Sequence, residues 1–310
     1  MSDPVFVAPT LATLVDAPVD GEEWIFERKL DGIRLVAVRD GDRVRLWSRN
    51  HKDRTAHYPE IADALRAQAC ERFVVDGEVV AFDGDVTSFS RLQQGHGRRF
   101  LYVFDAMHLD DDDLREHHLR DRKSRLLAAL DFSDPIRFCP HRNGGDGVGA
   151  AWLAEACRKG WEGLIAKRAD AAYRSGRSAD WLKLKCVAQQ EFVIGGFTEP
   201  QGSRAGLGAL LVGYHDDGGS LRFAGRVGTG FDDGTLDRLS SILVRRERET
   251  SPFADAPTTR GVHSVNPTSH TRSDSPEWTT AGRLRHPRFL GLRDDKPPGD
   301  VVRETPGVTS

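Results

Sequence analysis

The chain predicts an α+β domain followed by a smaller β domain, for which an OB-like β-barrel is one solution. Three observations carry that expectation. Apolar or alternating runs of strand length recur between segments whose apolar residues fall at three- and four-residue intervals. After Lys185-Cys186 the texture changes to short strands punctuated by glycine. A length of 310 residues is also enough for two ordinary domains. We place the first domain at residues 1–188, the second at 189–299 and a polar tail at 300–310.

In chain order, strands are expected at Trp24–Phe26, Ile33–Val38, Val44–Trp47, Phe73–Phe82, Phe100–Phe104 and Leu164–Lys167. Between them, Pro59–Cys70, Arg120–Leu130 and Ala150–Arg158 read as amphipathic helices, with Pro59 suited to a first turn. This mixed order favours α+β over a doubly wound sheet. Beyond the boundary, Phe192–Phe197, Leu207–Tyr214 and Ser220–Val227 read as short strands. His215-Asp216-Asp217-Gly218-Gly219 suits a hairpin connection, and a helix is expected around Leu236–Arg245. Pro257–Ser275 is rich in Thr, Ser, Pro, Asn and Arg, and reads as a loop or a degenerate strand.

Composition narrows the class. No apolar stretch is long enough to span a membrane, and the N-terminus lacks the basic and apolar regions of a secretory signal, so a cytoplasmic protein is expected. Cys70, Cys139, Cys157 and Cys186 form no CxxC pair and read as unpaired, mostly buried thiols. With 44 basic and 47 acidic residues the formal charge is −3, which argues against nucleic-acid binding by bulk charge but leaves room for a local phosphate-binding face. Asp110-Asp111-Asp112-Asp113 reads as a solvated turn rather than a metal cage.

Chemistry concentrates elsewhere. Lys29 follows the apolar run Trp24-Ile25-Phe26 and precedes Leu30-Asp31-Gly32, so a strand end and a tight turn can aim it at an electrophile. Then come Ser48-Arg49-Asn50, Asp76-Gly77-Glu78, Tyr102-Val103-Phe104-Asp105, Glu162-Gly163-Leu164-Ile165-Ala166-Lys167 and Trp181-Leu182-Lys183-Leu184-Lys185. Singly, each has an ordinary reading. Lys29–Gly32 and Asp76–Glu78 could be exposed turns. Phe104 could be core, Arg49 a surface arginine, and Lys183 and Lys185 the wet face of a strand. Glu162 and Lys167 could mark the ends of a buried strand, Glu27 and Arg34 could form a surface ion pair, and Arg293 and Lys296 could be tail charges.

Taken in order, these segments resemble the ATP-dependent DNA ligases of the covalent nucleotidyltransferase superfamily, most closely the ligase module of bacterial end-joining DNA ligase D. The resemblance runs from about Pro9 to Lys296, and Glu277-Trp278-Thr279 and Leu284-Arg285-His286-Pro287 point to the end-joining branch. It implies a nucleotidyltransferase domain followed by an OB domain. By the same resemblance Lys29 accepts AMP, Glu27 helps recognise adenine, and Arg34 approaches phosphate or ribose. Arg49 contacts AMP or the nick phosphate, Glu78 rather than Asp76 makes the ribose or metal contact, and Phe104 stacks on adenine. Glu162 is an acidic metal-site residue; Lys167, Lys183 and Lys185 serve the nucleotide, with Lys183 preferred at the α-phosphate. Arg293 and Lys296 belong to a terminal pattern used with pyrophosphate.

The implied reactants are ATP, Mg²⁺ or Mn²⁺ and nicked or broken DNA, with Ku as a possible partner in double-strand-break repair. Cationic neighbours and a metal would favour the free amine at Lys29 and stabilise negative charge on phosphorus. One departure from the family is expected to matter. Between Pro267 and Pro276 its members carry an apolar-acidic-apolar strand, where this chain has Thr268-Ser269-His270-Thr271-Arg272-Ser273-Asp274-Ser275, which predicts an exposed or disordered edge. Rival readings are an RNA ligase, a capping guanylyltransferase, or a noncatalytic DNA-end-binding module.

Overall fold

The computed structural model describes residues 4–95, 97–186, 189–200, 206–257, 261–267, 270–274, 277–279, 282–285, 287–293 and 297–303. They fall into two compact units, one ending at Cys186 and the other following it.

The first unit is built on two sheets. In the five-stranded sheet, Trp24–Arg28 lies between Gly163–Arg168 and the short edge strand His141–Asn143. Gly176–Lys185 continues from Gly163–Arg168, and Thr10–Leu14 adds a parallel edge that the apolar pattern had not suggested. The larger sheet runs Arg43–Ser48, Ile33–Asp40, Arg72–Asp83, Arg99–Leu109 and Asp112–Asp113, with two further short strands paired off this path.

Period-two alternation explains which face each strand buries. Leu35, Ala37, Leu46, Phe73, Val75, Leu101 and Val103 form one core with Ile61, Ala62 and Leu65 of the helix Pro59–Arg66. Pro59 occupies that helix's first turn, as its fixed φ favours. The alternate residues Val36, Val38 and Val74 form a second core with Phe104, Tyr173 and Trp181, and so connect the larger sheet to a strand of the smaller. Leu164, Ala166, Leu182 and Leu184 pack with Trp152 and Ala156 of the helix Val148–Arg158.

The second unit is an OB-like curled sheet that stays open. Its long strand Gln189–Thr198 pairs on one side with Leu210–His215, which continues to Leu221–Val227. On the other side it pairs with Val262–Val265 at one end and His270–Asp274 at the other. The expected hairpin connection is present: the Asp216 carboxylate accepts from the amides of Gly218 and Ser220, and Gly219 takes a positive φ of 77°. The helix Asp233–Val244 is capped by Asp232, which accepts from the Thr235 amide at 2.7 Å, and buries Leu236, Leu239 and Leu243. Glu277–Trp278 and Leu284–Arg285 pair as a two-stranded ribbon, and Trp278 meets Phe192 and Tyr214 edge-on or tilted.

Two expectations are corrected. The polar segment at 268–275 does not leave an edge where it is described: His270–Asp274 is an interior strand, paired with Gln189–Val193 on one side and Arg288–Arg293 on the other. Backbone pairing on both sides satisfies its amides and carbonyls whatever its side chains, so the strand forms without the apolar pattern. The cysteines are also not all thiols. Cys157, in the helix Val148–Arg158, and Cys186, after the strand Gly176–Lys185, form a disulfide, while Cys70 and Cys139 are free and buried. The 29-residue separation gave no sign of this, because folding alone brings the helix end beside the strand end. The acidic run, by contrast, is solvated as expected, turning at Asp110-Asp111 into the short exposed strand Asp112–Asp113, with Asp111, Asp112 and Asp113 paired to Arg72, Arg125 and Arg115.

Closing a loop of that length is worth about 3.6 kcal/mol through the unfolded chain. Under non-reducing conditions Cys157→Ser is therefore expected to lower stability to denaturant by about that amount. Parent and variant should unfold together once reductant is present; a gap that persists in reductant would assign the loss to packing instead.

Candidate active site

Strand register builds the site. Across the smaller sheet Glu27 stands opposite Ile165, which stands opposite Lys183; one step along, Ile25, Lys167 and Trp181 align. At the other end the Lys29 amide donates to the Gly163 carbonyl at 2.9 Å, and Gly163 pairs with Lys185. Because side chains alternate, Glu27, Lys29, Lys167, Trp181, Lys183 and Lys185 share one face while Leu164, Ala166, Leu182 and Leu184 take the other. Gly163 is required here: its φ is +145° and a Cβ would lie 1.9 Å from the Leu184 carbonyl oxygen.

The turn after Lys29 is anchored on both sides. The Asp31 amide donates to Thr87 Oγ1, and the Asp31 carboxylate accepts from the Phe89 amide at the start of the helix Phe89–Gln93. Gly32 presses against the larger sheet, where a Cβ would come within 2.0 Å of the Val79 carbonyl oxygen. Lysine, aspartate and glycine are thus needed together: one to project, one to anchor, one to fit. Lys29 Nζ ion-pairs with the Glu162 carboxylate at 2.7 Å, on a side chain only 7% exposed.

Glu27 is buried, and two ammonium groups hold it. Lys123 Nζ lies 2.6 Å from Oε1 and Lys167 Nζ 2.7 Å from Oε2. Burial pushes the Glu27 carboxyl up, but Lys123 and Lys167 more than offset this and keep it below the usual range. Burial lowers Lys167, with Glu27 opposing. Lys167 Nζ sits 3.8 Å from the Trp181 ring centroid and 4.3 Å from that of Phe104.

The larger sheet supplies the facing groups. Arg34 pairs in register with Glu78 and donates twice to Asp76, at 2.5 and 2.6 Å. Its guanidinium carbon lies 4.5 Å from the Phe104 centroid and 5.4 Å from that of Trp181. Burial lowers the Arg34 pKa, but Asp76 outweighs it and holds the charge in place. Asp76, fully buried, also accepts from the Tyr173 hydroxyl at 2.5 Å. Asp76 is committed to the scaffold, and Glu78 is half-buried on the same face.

Phe104 owes its position to a β-bulge. Asp76 pairs with Asp105 and Gly77 with Val103, so the ladder skips Phe104 and the strand bends there. Arg49 stands in a tight loop closed by Ser48, whose carbonyl accepts from His51 and whose hydroxyl accepts from Lys52. Arg293 lies in the second unit, its backbone opposite His270. Its side chain, and all of Lys296, lie outside the described residues.

A divalent cation that keeps most of its own water takes hard carboxylate oxygens, the donor type that Glu78 and Glu162 carry. Among the described residues no three His, Cys, Asp or Glu side chains gather as an all-protein cage. Two residues of the site were missed in the sequence, Lys123 and Tyr173. The first was legible: Leu119, Arg122, Lys123 and Leu126 form the buried stripe of the helix Leu119–Ala129, and charges on such a stripe need partners. Arg122 finds Asp105, with both side chains fully buried, and Lys123 finds Glu27.

A two-sheet α+β unit with an aimed lysine, cations and an aromatic wall, followed by an OB-like unit, defines a covalent nucleotidyltransferase. The chain belongs to the ATP-dependent DNA ligase family: residues 9–185 match the ATP dependent DNA ligase domain and residues 203–296 the ATP dependent DNA ligase C terminal region. It is 40% identical to the multifunctional non-homologous end joining protein LigD of Pseudomonas aeruginosa, over 98% of this chain and 37% of that protein. Identity to the Mycobacterium tuberculosis end joining DNA repair protein LigD is also 40%, over 96% of this chain and 40% of that one. The chain thus spans about two-fifths of the length of these relatives. Among solved structures, a mycobacterial DNA ligase D complexed with ATP and MES superposes with a TM-score of 0.69 at 36% identity, covering 96% of this chain and 98% of that one. The ligase domain of M. tuberculosis LigD gives 0.51 at 37% identity, with the same coverage. Among the described residues no helix is long and apolar enough to cross a membrane.

The lowered Glu27 pKa sets a pH signature. Its contribution to stability is fully present above the ordinary value of 4.5 and is lost as the pH falls through the lower native value. Glu27→Gln has no such titration. In denaturant titrations the stability gap between parent and variant is expected to shrink as the pH falls below 4.5. A gap independent of pH would show that the lysines do not hold a carboxylate there.

Proposed function

We propose that this chain seals DNA strand breaks with ATP through AMP carried on Lys29, and that it acts in end joining. The observation that carries the reading is the seat of Lys29, pinned by its amide to Gly163 and by its ammonium to Glu162, on the face that also presents Lys167, Lys183 and Lys185.

Lys29 Nζ sheds its proton, leaves Glu162 and bonds to the α-phosphorus of ATP, while the bond to the departing pyrophosphate breaks. A 5′-phosphate oxygen of the DNA then attacks the same phosphorus and expels Lys29. Last, the 3′-hydroxyl attacks the activated 5′-phosphate and AMP leaves. Lys183 meets the α-phosphate and Lys185 supports it, since both share the face of Lys29. Charge already fixed at Arg34 and Lys167 needs little reorganisation as negative charge builds on phosphate oxygens. Phe104 stacks on adenine and Glu27 reads its edge.

Glu78 and Glu162 would hold Mg²⁺ or Mn²⁺, which when bound would neutralise phosphate charge. Arg49 serves AMP or the nick phosphate, and Arg293 and Lys296 serve the pyrophosphate. We assign the adenylylation chemistry to residues 1–188 and the closing OB domain to 189–299. Relatives named for non-homologous end joining support a setting in DNA end joining; we propose Ku as partner and the cytoplasm as location.

Intact-protein mass tests this reading after pyrophosphate treatment and incubation with ATP and Mg²⁺. The parent is expected to gain one AMP and Lys29→Ala none, with sealing of a DNA nick, and not a matched RNA nick, lost in parallel. A folded parent that binds nicked DNA but gains no AMP would be a DNA-end-binding module instead.

A further inference from the structure

Lys123 is remote from Lys29 in sequence and enters from the helix Leu119–Ala129, yet all three of its donors are used inside the site. One goes to Glu27 Oε1 at 2.6 Å, one to the Phe104 carbonyl at 3.2 Å and one to the Cys139 carbonyl at 3.2 Å. The first partner is the carboxylate read above as facing the edge of the base. The second is the residue that the β-ladder skips, whose ring is read as lying on the face of the base. A single buried ammonium thus fixes the edge reader and the bulge that aims the stacking ring.

Neutralising Glu27 does not require this lysine. Lys167 already lies 2.7 Å from the other carboxylate oxygen, so the buried cluster carries one ammonium more than its carboxylate balances. Removing a second cation from water is costly, and a scaffold needing only a helix anchor already has one beside it in the paired Arg122 and Asp105. What Lys123 adds is orientation: with each oxygen held by its own lysine, the carboxylate plane is fixed. It is also kept ionised, and an ionised carboxylate only accepts hydrogen bonds.

We infer that Lys123 is a positioning residue for base selection: by holding Glu27 and the Phe104 bulge together, it makes the site take a purine with an amino group at position 6 over one with a carbonyl there. The inference rests on Lys29 being the nucleotide acceptor with the base at Glu27 and Phe104. An amino group at that position donates to the fixed carboxylate. A carbonyl sets lone pairs against lone pairs, and a site built for a donor rejects the analogue that lacks it.

The test uses the full chain and the rate of nucleotide addition to Lys29, read by intact mass with ATP or ITP. Parent, Lys123→Met, Glu27→Gln and the double variant are compared. The parent is expected to prefer ATP, and Lys123→Met to lower the ATP-to-ITP ratio of kcat/KM by about tenfold or more, the size of a lost hydrogen bond to a charged group. The change should fall on the nucleotide KM rather than on the maximal rate. In the Glu27→Gln background Lys123→Met should leave the ratio where Glu27→Gln put it, because the lysine acts through the carboxylate.

If Lys123→Met does not fold, Lys123→Gln keeps donors for the two carbonyls, lacks the charge, and is read by the same ratio. Equal loss with both nucleotides would overturn the inference and leave Lys123 as a structural staple. So would a parent that uses ATP and ITP alike. In either case AMP addition to the parent would leave the ligase reading standing, whereas a parent that takes neither nucleotide would overturn both.

Discussion

A buried carboxylate that cannot be left unpaired holds together the sheet face that carries Lys29. Glu27 sits in a strand whose two neighbours are hydrogen-bonded along their length, so its position is set by the sheet before any side chain is considered. Burying its charge is tolerable only with partners in place, and those come from a helix and from the adjacent strand. Strand, helix and second strand are therefore locked in one arrangement. Two residues along from Glu27, Lys29 inherits that rigidity: its backbone is tied to Gly163, and Gly163 follows directly on Glu162, which holds its side chain.

The larger sheet repeats the device with a second buried carboxylate. Asp76 is the fully buried carboxylate, Arg34 its half-buried bidentate partner, and Tyr173 takes up remaining acceptor capacity on the aspartate. The two clusters meet at aromatic rings rather than through a further ion pair. Phe104 and Trp181 lie against both the Arg34 guanidinium and the Lys167 ammonium. Rings tolerate cations at their faces and exclude water, so two positive groups can stand near one another beside a surface apolar enough for a base.

Much of this was legible in the sequence, for identifiable reasons. The central strands and main helices of the first unit were visible because alternation and three-to-four spacing are local, and Lys29, Lys183 and Lys185 stood out by their motifs. What local pattern could not carry was pairing. Thr10–Leu14 is a strand because Gly176–Lys185 offers it a parallel edge, and His270–Asp274 is one because both its neighbours do. Phe104 was read as a stacking residue by resemblance, but its placement comes from a bulge, which depends on register between strands and leaves no mark in either. Lys123 was the avoidable omission, since a lysine on an apolar stripe already asks for a buried acid.

The arrangement also explains why a site made for a polyanion can exist before one arrives. Arg34, Lys123 and Lys167 would repel one another if each awaited phosphate as an open charge. Instead Arg34 has Asp76, Lys123 and Lys167 share Glu27, and the surplus charge lies against aromatic rings. Lys29 differs in kind. Its partner Glu162 is the acidic group read here as a metal ligand, so a cation drawn in with the nucleotide would compete for the carboxylate that restrains the nucleophile. Arg34, Lys123 and Lys167 are thus tied to partners inside the fold. Lys29, the group proposed to form a covalent bond, is tied to a carboxylate that a metal arriving with the nucleotide would also claim. Rigidity and release are separated by which carboxylate holds which cation.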